Sequence, residues 1–471
     1  MYAAPNTASA VARIRQFVRQ TDLCNNAQLQ GKSATGAETS ANATLGGGSG
    51  TGLRSENLKK QKFMFNNKSQ SKNDGRIRVL FHVTDFNDGG IESSLIQWLR
   101  ILDRTRFKVS LSVMHTSPAW ENRFRVLIPP DVDVEVLVDR PWLKYFQSKR
   151  YERRLGKLGR IARDVHNTLA VRPHVAKRAA QLAHGVDVIV DFDMSLRRLS
   201  GRFHVAWLGV NHFSFDARLG GRPRKIQRLL TQYRRYHGVA ALNQHMADEA
   251  ARIFEGKLER VIVLPNAIDI ESIRERASAC YDDIQLTPNG APYIVSVARL
   301  DEVQKDHRTL LRAYAELARR GAVEEHLVIV GNGAYLEELQ SLARELDVPE
   351  RVHFVGHQDN PHPIVARASL LVLSSKYEGM PMVLLEALAI GKAIVATDCP
   401  TGPREILDGG KAGTLVPVGD IRAMADAMER LLTDIGPLEA LAVKARTRAD
   451  HYGIEESNRR LLSFLEAVWA A

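Results

Sequence analysis

A strand, a tight loop and a helix follow one another near residue 380, and this succession constrains the fold more than any other part of the chain. Residues 368–375 form an apolar run typical of a buried strand, and residues 384–390 are good helix formers that end at a glycine. Pro381 suits a first helical position, so the free N–H groups of about Met382 to Leu384 point out of the helix N-terminus. The helix dipole favours an anion there, which predicts a phosphate site.

Two glutamates eight positions apart flank this helix entry. Glu378 lies in the loop, and Glu386 lies one turn into the helix, where it is placed to accept hydrogen bonds from a ribose attached to the phosphate. Glu378 lies on the other side of the same phosphate. The arrangement suits a nucleoside diphosphate-sugar, and the alternative is an ordinary helix entry with two solvated glutamates.

The preceding segments supply cations at another strand end. A short strand at residues 293–298 runs into a loop that carries Arg299 and Lys305. Because open α/β sheets bind ligands at the carboxyl ends of their strands, this loop is a second candidate for anion binding. Two further strands, at residues 327–330 and 352–355, both end at glycines.

Together these segments resemble the retaining glycosyltransferases of family four, the glycosyl transferases group 1. The pieces that carry the resemblance are Glu378 with Glu386, Arg299 with Lys305, Gly331-Asn332-Gly333, residues 397–405 and residues 265–269. The resemblance runs from about Arg76 to the C-terminus and is most specific in the second half. It implies the GT-B fold, an α/β fold in which two Rossmann-like, doubly wound domains face a central cleft.

The resemblance and the composition together predict the domain organisation. Residues 1–74 are rich in small and polar residues and are expected to form a disordered, low-complexity tail. The expected domains are an acceptor-side domain at 75–265, a linker at 266–284, a nucleotide-sugar-binding domain at 285–451, and a final helix at 452–471 that crosses back onto the first domain.

Roles for individual residues follow from the same resemblance. The four catalytic candidates are Arg299 and Lys305, which would stabilise the leaving diphosphate, Glu378, which would bind sugar hydroxyls, and His212, which would face the sugar. The donor contacts are expected at Gly89, Gly90, Gly331, Val355, Gly356, Gly379, Met380, Met382, Val383 and Glu386. The resemblance also implies retention of anomeric configuration and no cofactor, since the nucleotide-sugar is a substrate.

Asp191-Phe192-Asp193 follows a strand and is the main alternative for a metal site. Such a D-x-D pair holds a divalent metal on the diphosphate in glycosyltransferases of the other major fold. The same spacing recurs at Asp131-Val132-Asp133, and no His/Cys cluster has metal-ligand spacing. Because Arg299, Lys305 and a helix terminus already serve the diphosphate, we expect a metal-independent enzyme.

Positive charge is concentrated in the first part of the chain. The first 285 residues carry a net charge of +17 and the remainder −6. Residues 140–178 hold 12 Lys and Arg against two acidic residues, with aromatic residues between them, and a second basic patch lies at 218–235. This pattern predicts binding to an anionic membrane surface or a lipid-diphosphate acceptor; a solvated face and nucleic acid are the alternatives. Without an accompanying nucleic-acid motif, we expect no such partner.

The expected location is the cytoplasm, with peripheral attachment to the inner face of the cytoplasmic membrane. The three cysteines have no CxxC spacing, no apolar run approaches a membrane span, and the N-terminus resembles no export signal. The predicted function is transfer of a hexose or N-acetylhexosamine from a uridine diphosphate-sugar to a glycan or lipid-linked acceptor in surface polysaccharide biosynthesis. The alternatives are an epimerase or phosphorylase on the same fold, and a non-catalytic basic protein that docks on membrane or nucleic acid.

Overall fold

Two parallel β-sheets, one in each half of the chain, form the framework of the protein. The computed structural model describes residues 75–87, 90–152, 156–220, 222–279, 286–321 and 323–469. The predicted N-terminal tail therefore lies outside the described residues. From Ile77 onward the chain forms one compact unit that contains both sheets.

The first sheet has seven parallel strands within the described residues. They are β1 (Ile77–Val83), β2 (Phe107–Val113), β3 (Asp133–Val136), β4 (Val188–Asp191), β5 (Ala206–Asn211), β6 (Gly238–Ala241) and β7 (Val261–Val263). Their order is β3-β2-β1-β4-β5-β6-β7, so the sheet is wound in both directions from β1. Strand β3 lies at one side of the sheet, and most of its residues are exposed.

Helices connect these strands, as parallel pairing requires. They are α1 (Gly90–Ile101), α2 (Pro141–Glu152), α3 (Lys157–His166), α4 (Arg172–Ala183), α5 (Phe215–Leu219), α6 (Pro223–Tyr233) and α7 (Gln244–Ile253). A further helix, α8 (Ile270–Ala277), follows β7 and leads toward the second sheet.

The second sheet has six parallel strands in the part of the chain that the structure describes. They are β8 (Tyr293–Val297), β9 (His326–Val330), β10 (Val352–Gly356), β11 (Leu370–Leu373), β12 (Ile394–Thr397) and β13 (Thr414–Val416). The order is β10-β9-β8-β11-β12-β13, which reverses direction between β8 and β11. The associated helices are α9 (His307–Arg320), α10 (Leu336–Glu345), α11 (His362–Arg367), α12 (Met382–Ile390), α13 (Gly402–Ile406), α14 (Ile421–Thr433) and α15 (Ile435–Ala449).

The central strands of both sheets are short apolar runs because helices cover them on both faces. All residues of β4, β5 and β11 are buried. Continuous apolar strands of this kind are typical of parallel sheets, where neither face meets water. The α/β class and the doubly wound topology predicted from the sequence are confirmed.

The last helix, α16 (Ile454–Trp469), returns to the first sheet. The ring of Phe464 fills the space beside Gly238 in β6, where a Cβ atom would lie 2.3 Å from the ring. Asn458 donates a hydrogen bond to the carbonyl of Ile101 at the end of α1, at 2.9 Å. The C-terminal segment therefore packs on the domain in which the chain began.

Candidate active site

The topology of the second sheet brings two charged loops together. The sheet reverses direction between β8 and β11, and a crevice forms outside the carboxyl ends of the strands at such a point. The loop after β8 carries Arg299 and Lys305, and the loop after β11 carries Glu378. Three of the four predicted catalytic residues therefore meet at one sheet edge, although more than 70 positions separate Lys305 from Glu378 in the sequence.

Lys305 and Glu378 form a buried ion pair at this edge. Lys305 Nζ lies 2.6 Å from Glu378 Oε1, and only 14% and 6% of the two side chains are exposed. Ser375 donates a second hydrogen bond to Oε1 at 2.6 Å, and Gln304 Nε2 donates to Oε2 at 3.2 Å. The sequence did not single out Ser375 or Gln304, although each lies within three residues of a predicted site residue.

Arg299 is the exposed cation of the site. Its guanidinium reaches Gln304 Oε1 at 3.4 Å, which is a long contact. Gln304 therefore touches both Arg299 and Glu378. The site thus combines a buried cation that is already paired with an exposed cation that is held loosely.

Gly331 and the nearby Gly333 permit a close approach between two strand-end loops. Gly331 has φ +143°, and a Cβ atom there would lie 2.0 Å from the carbonyl oxygen of Ala298. At Gly333 a Cβ atom would lie 2.2 Å from the carbonyl oxygen of Leu300. These glycines seat the Arg299 loop against the end of β9, so their contact in this structure is with backbone.

Val355 and Gly356, two of the predicted donor contacts, end strand β10 beside this turn. The carbonyl of Val355 accepts a hydrogen bond from Gln358 Nε2 at 2.9 Å. The carbonyl of Gly356 accepts from the N–H of Gly331 at 2.8 Å. Each carbonyl oxygen therefore already has one partner and retains a second lone pair.

The backbone of Gly379 lies against the first domain. A Cβ atom on Gly379 would lie 2.1 Å from the carbonyl oxygen of His212, at the end of β5. Asn243, at the end of β6, donates to the carbonyl of Gly379 at 3.0 Å and to Thr401 Oγ1 at 3.1 Å. The loop that carries Glu378 is thus held against the strand ends of the first sheet.

His212 is brought to this loop, but one ring nitrogen is already engaged. Its Nε2 lies 2.6 Å from the carbonyl oxygen of Phe192, so this nitrogen carries the proton and donates it. Burial lowers the pKa of His212 to about 4. The imidazole is therefore neutral at physiological pH, and only Nδ1 remains to accept a hydrogen bond.

The N-terminus of α12 differs by one residue from the prediction. The helix begins at Met382, and Pro381 is its N-cap with ψ 116°. Consequently the N–H of Leu384 is not free, because it donates to the carbonyl of Pro381 at 3.1 Å. Met382 and Val383 are the first two residues of the helix, whose N–H groups have no acceptor within it.

The side chains of Met380 and Met382 are buried and serve packing. Asn266 anchors the backbone here, since its Nδ2 donates to the carbonyl of Met380 at 3.1 Å. Asn266 itself accepts a hydrogen bond from Ser94 in α1 at 2.6 Å. A chain of contacts therefore links α1 of the first domain to the start of α12.

Glu386 has a histidine neighbour that the sequence pattern did not reveal. His362 Nε2, at the start of α11, lies 3.7 Å from Glu386 Oε2. Burial alone would raise the pKa of Glu386, but the hydrogen-bonding and charge effects of His362, together with the charge of Arg276, outweigh it and lower that pKa. The carboxylate is therefore ionised at neutral pH, as a ribose acceptor must be.

The glycine loop of the first domain is only partly described. Gly89 lies outside the described residues, and Gly90 is the exposed first residue of α1, where an added Cβ atom would meet nothing within 4 Å. Glu92 follows in the first turn and is buried, with Oε1 accepting from the N–H of Asn87 at 3.1 Å. Burial raises the pKa of Glu92 to about 7, nearby Asp85 adds to the effect, and Arg299 opposes it.

Asp191 of the D-x-D sequence serves the interior of the first domain. Its carboxyl group is fully buried and accepts a hydrogen bond from Tyr236 at 2.5 Å. Burial and the neighbouring Asp193 raise the pKa of Asp191 well above its usual value. Asp193 accepts from the N–H groups of Thr84 and Ser195. Among the described residues, no group of three or more His, Cys, Asp or Glu is arranged to hold a metal ion.

Residues 281–450 match the model of the family described as Glycosyl transferases group 1. This match spans the loops that carry Arg299, Lys305, Glu378 and Glu386. The matched residues thus lie in the part of the chain whose motifs carry the resemblance to this family.

Curated relatives are similar over part of their length. An N-acetylgalactosamine-N,N'-diacetylbacillosaminyl-diphospho-undecaprenol 4-alpha-N-acetylgalactosaminyltransferase of Campylobacter jejuni is 36% identical over 203 residues, 43% of this chain and 53% of the relative. The lipopolysaccharide core biosynthesis glycosyltransferase LpsE of Rhizobium meliloti is 34% identical over 148 residues, 31% of this chain and 42% of the relative. The chain thus spans about half the length of these relatives or less.

A solved structure is similar over nearly all of the described chain. Anabaena Alr3699/HepE, in complex with UDP and glucose, aligns with a TM-score of 0.65 and 19% identity over 83% of this chain and 100% of that one. S. aureus TarM aligns with a TM-score of 0.63 and 12% identity over 83% of this chain and 99% of that one. At these identities the likeness concerns the fold, and it confirms the predicted GT-B architecture.

Proposed function

We propose that this protein is a retaining glycosyltransferase that transfers a sugar from a nucleotide-sugar to a glycan or lipid-linked acceptor. The observation that carries the proposal is the cluster of Arg299, Lys305 and Glu378 at the point where the second sheet reverses direction. It lies beside the start of a helix and against the strand ends of the other domain. A diphosphate bound there meets two cations and a helix N-terminus.

The chemistry follows from these charges. The bond from the anomeric carbon to the diphosphate oxygen breaks, and the acceptor hydroxyl forms a new bond to that carbon on the same face. The acceptor proton passes to the leaving phosphate oxygen, so charge and atoms balance within the two substrates. Arg299 and Lys305 stabilise the negative charge on the diphosphate as it leaves.

Glu378 has two functions in this proposal. Its carboxylate holds Lys305 at the site in the absence of donor, and it accepts hydrogen bonds from sugar hydroxyls when the donor is bound. Because the ion pair is buried, the position of Lys305 is set before the donor arrives. Preorganised charge of this kind costs no reorganisation during the reaction.

The donor and acceptor classes are also proposals. A uridine diphosphate-hexose or N-acetylhexosamine is the proposed donor, and Glu386 binds its ribose. The names of the matched relatives refer to lipopolysaccharide core biosynthesis and to a diphospho-undecaprenol acceptor. They support surface polysaccharide or glycan assembly as the setting. The proposed location is the cytoplasm, at the inner face of the membrane, and no metal cofactor is proposed.

An anionic membrane surface is the proposed docking partner, and helix α3 supports it. Four apolar side chains recur along α3 and the turn after it, and we call them the apolar stripe. At least half of each side chain is exposed: Leu158, Ile161, Val165 and Leu169. The helix has no buried residue at all. Three basic side chains, Lys157, Arg160 and Arg163, lie on α3, and Arg172 begins α4. An exposed apolar stripe with basic neighbours fits an anionic lipid surface.

Among the described residues, no helix is both long and apolar enough to cross a membrane. Attachment through the surface of the first domain is proposed on the side chains of α3 and the turn that follows it. Arg153 and Arg154 lie outside the described residues.

Release of nucleoside diphosphate tests the enzyme assignment. Purified protein incubated with a panel of uridine diphosphate-sugars is expected to release uridine diphosphate slowly, and faster once a glycan acceptor is present. A docking protein releases none with any donor, and an epimerase converts one nucleotide-sugar into another without release. Either of these results would overturn the proposal.

A further inference from the structure

Asn360 and His362 form a short hydrogen-bonded chain behind Glu386. Asn360 Nδ2 donates to the carbonyl of Arg276 in α8 at 3.0 Å, so its Oδ1 is the acceptor that faces His362. His362 Nδ1 lies 2.8 Å from that oxygen and must donate to it. The amide thereby orients the ring, and Nε2 faces Glu386.

His362 Nε2 lacks a partner that its burial demands. The residue is only 3% exposed, and among the described residues this nitrogen has no hydrogen-bond partner. The nearest acidic oxygen is Glu386 Oε2 at 3.7 Å, slightly beyond hydrogen-bonding distance. A buried polar atom left unpaired is costly, and a small rotation of the Glu386 side chain closes the gap.

The oxygen opposite Nε2 belongs to a carboxylate, which can only accept a hydrogen bond. The charged groups that act on Glu386 are His362 and Arg276, and both lower the pKa of that carboxyl. A neutral His362 with Nδ1 protonated would point a lone pair at a carboxylate. Donation from Nε2 instead satisfies the nitrogen and engages one carboxylate oxygen, while the side chain of Glu386 stays 20% exposed toward the site.

We propose that His362 is a positioning residue for nucleotide recognition: with a proton on each ring nitrogen, it donates from Nδ1 to Asn360 and from Nε2 to Glu386, and so orients the other carboxylate oxygen toward the ribose hydroxyls. The inference rests on the proposed function, in which Glu386 contacts the ribose. It adds that the ribose contact depends on a buried histidine from a neighbouring helix, which is itself oriented by Asn360.

Two variants separate positioning from packing. His362→Phe keeps the size of the ring and removes the donor, whereas His362→Gln supplies an amide N–H that can still reach Glu386. The ligands are uridine diphosphate and its 2′,3′-dideoxy analogue, measured by isothermal titration calorimetry on the full chain. His245→Phe, on the exposed part of α7, is the control for a histidine-to-phenylalanine change elsewhere.

We expect His362→Phe to weaken uridine diphosphate binding by about tenfold and to leave the dideoxy analogue within about twofold of its wild-type affinity. We expect His362→Gln to restore most of the affinity. If His362→Phe weakens the binding of both ligands equally, or leaves the binding of uridine diphosphate unchanged, the inference is overturned but the proposed function is not. A wild-type protein that binds neither ligand, nor any other nucleoside diphosphate, would overturn the proposed function and this inference with it.

Discussion

The two domains share one topology but use the reversal point of their sheets differently. In the first sheet, Asp191 at the end of β4 is fully buried and accepts a hydrogen bond from Tyr236. In the second, Lys305 and Glu378 are paired at the sheet edge, beside the exposed Arg299. The difference shows that topology provides a crevice in both domains, while the strand-end residues decide whether charge remains available to a ligand.

Their outer surfaces differ in a complementary way. The first 285 residues carry the excess positive charge, and the apolar stripe of α3 lies in this part of the chain. The second part has a net negative charge overall, although its site is lined with cations. We infer that donor chemistry belongs to the second domain, and that acceptor and membrane contacts belong to the first.

Loss of Lys305 is the largest effect that this division predicts. Lys305→Ala removes a preorganised cation from the leaving diphosphate, and we expect kcat to fall by about 100-fold or more. Lys411→Ala removes a cation that is mostly exposed and pairs only with Asp408 among the described residues, so it is the matched control and should leave kcat unchanged. Steady-state kinetics of nucleoside diphosphate release measure both.

A thermal unfolding scan accompanies those kinetics, because Lys305→Ala also leaves Glu378 without its cation. Normal kcat in a folded Lys305→Ala protein would contradict the assignment of donor chemistry to this edge of the second domain.

Gly379 tests the contact that brings the domains together. Gly379→Ala would place a methyl group 2.1 Å from the carbonyl oxygen of His212, and overpacking of this kind costs about 1–3 kcal/mol. We therefore expect a lower thermal unfolding midpoint and reduced turnover. Gly90→Ala, where a methyl group meets no atom within 4 Å, should leave the unfolding midpoint unchanged or slightly raised. Equal unfolding midpoints for the two variants would show that the domains do not meet as described.

The apolar stripe tests the role given to the first domain. Leu158→Gln combined with Ile161→Gln should reduce co-sedimentation with anionic vesicles several-fold, since each change removes exposed apolar surface from the lipid contact. Val443→Gln, on the exposed surface of α15, is the control and should have no effect. Binding should also weaken as salt is raised. Equal binding to neutral and anionic vesicles would leave the stripe as a solvated face.

Chelation of metal ions is expected to have no effect on activity. Because cationic side chains serve the diphosphate, excess EDTA should leave the rate of donor turnover unchanged. Loss of activity on chelation, with recovery on adding Mg²⁺ or Mn²⁺, would instead favour a metal site at Asp191 and Asp193 of the first domain.

The resemblance predicted the fold class and the topology, and apolar runs and glycines in the sequence marked the strand-end loops. It identified Glu378 and Lys305, but not that they form an ion pair with each other. That pairing depends on the strand order, which puts β8 beside β11. His362 was missed for a similar reason, since α11 and α12 are neighbours in space and only their packing brings its ring to Glu386.

The placement of the helix start was also out of reach of the sequence. Pro381 is compatible with both the N-cap and the first helical position, and the two differ by one residue. The glycines in the sequence indicated places where backbone is approached closely. Their predicted contacts with the donor stay predictions. Gly331 and Gly379 meet backbone carbonyls of neighbouring loops in this structure, and a sequence alone does not reveal which backbone a glycine approaches.

A structure of the protein with a uridine diphosphate-sugar tests the central claim most directly. We expect the diphosphate within hydrogen-bonding distance of Arg299 and Lys305 at the carboxyl ends of the second sheet's strands, with the ribose on Glu386. A donor bound instead at the Asp191 side of the first sheet, or a diphosphate that touches neither cation, would contradict it.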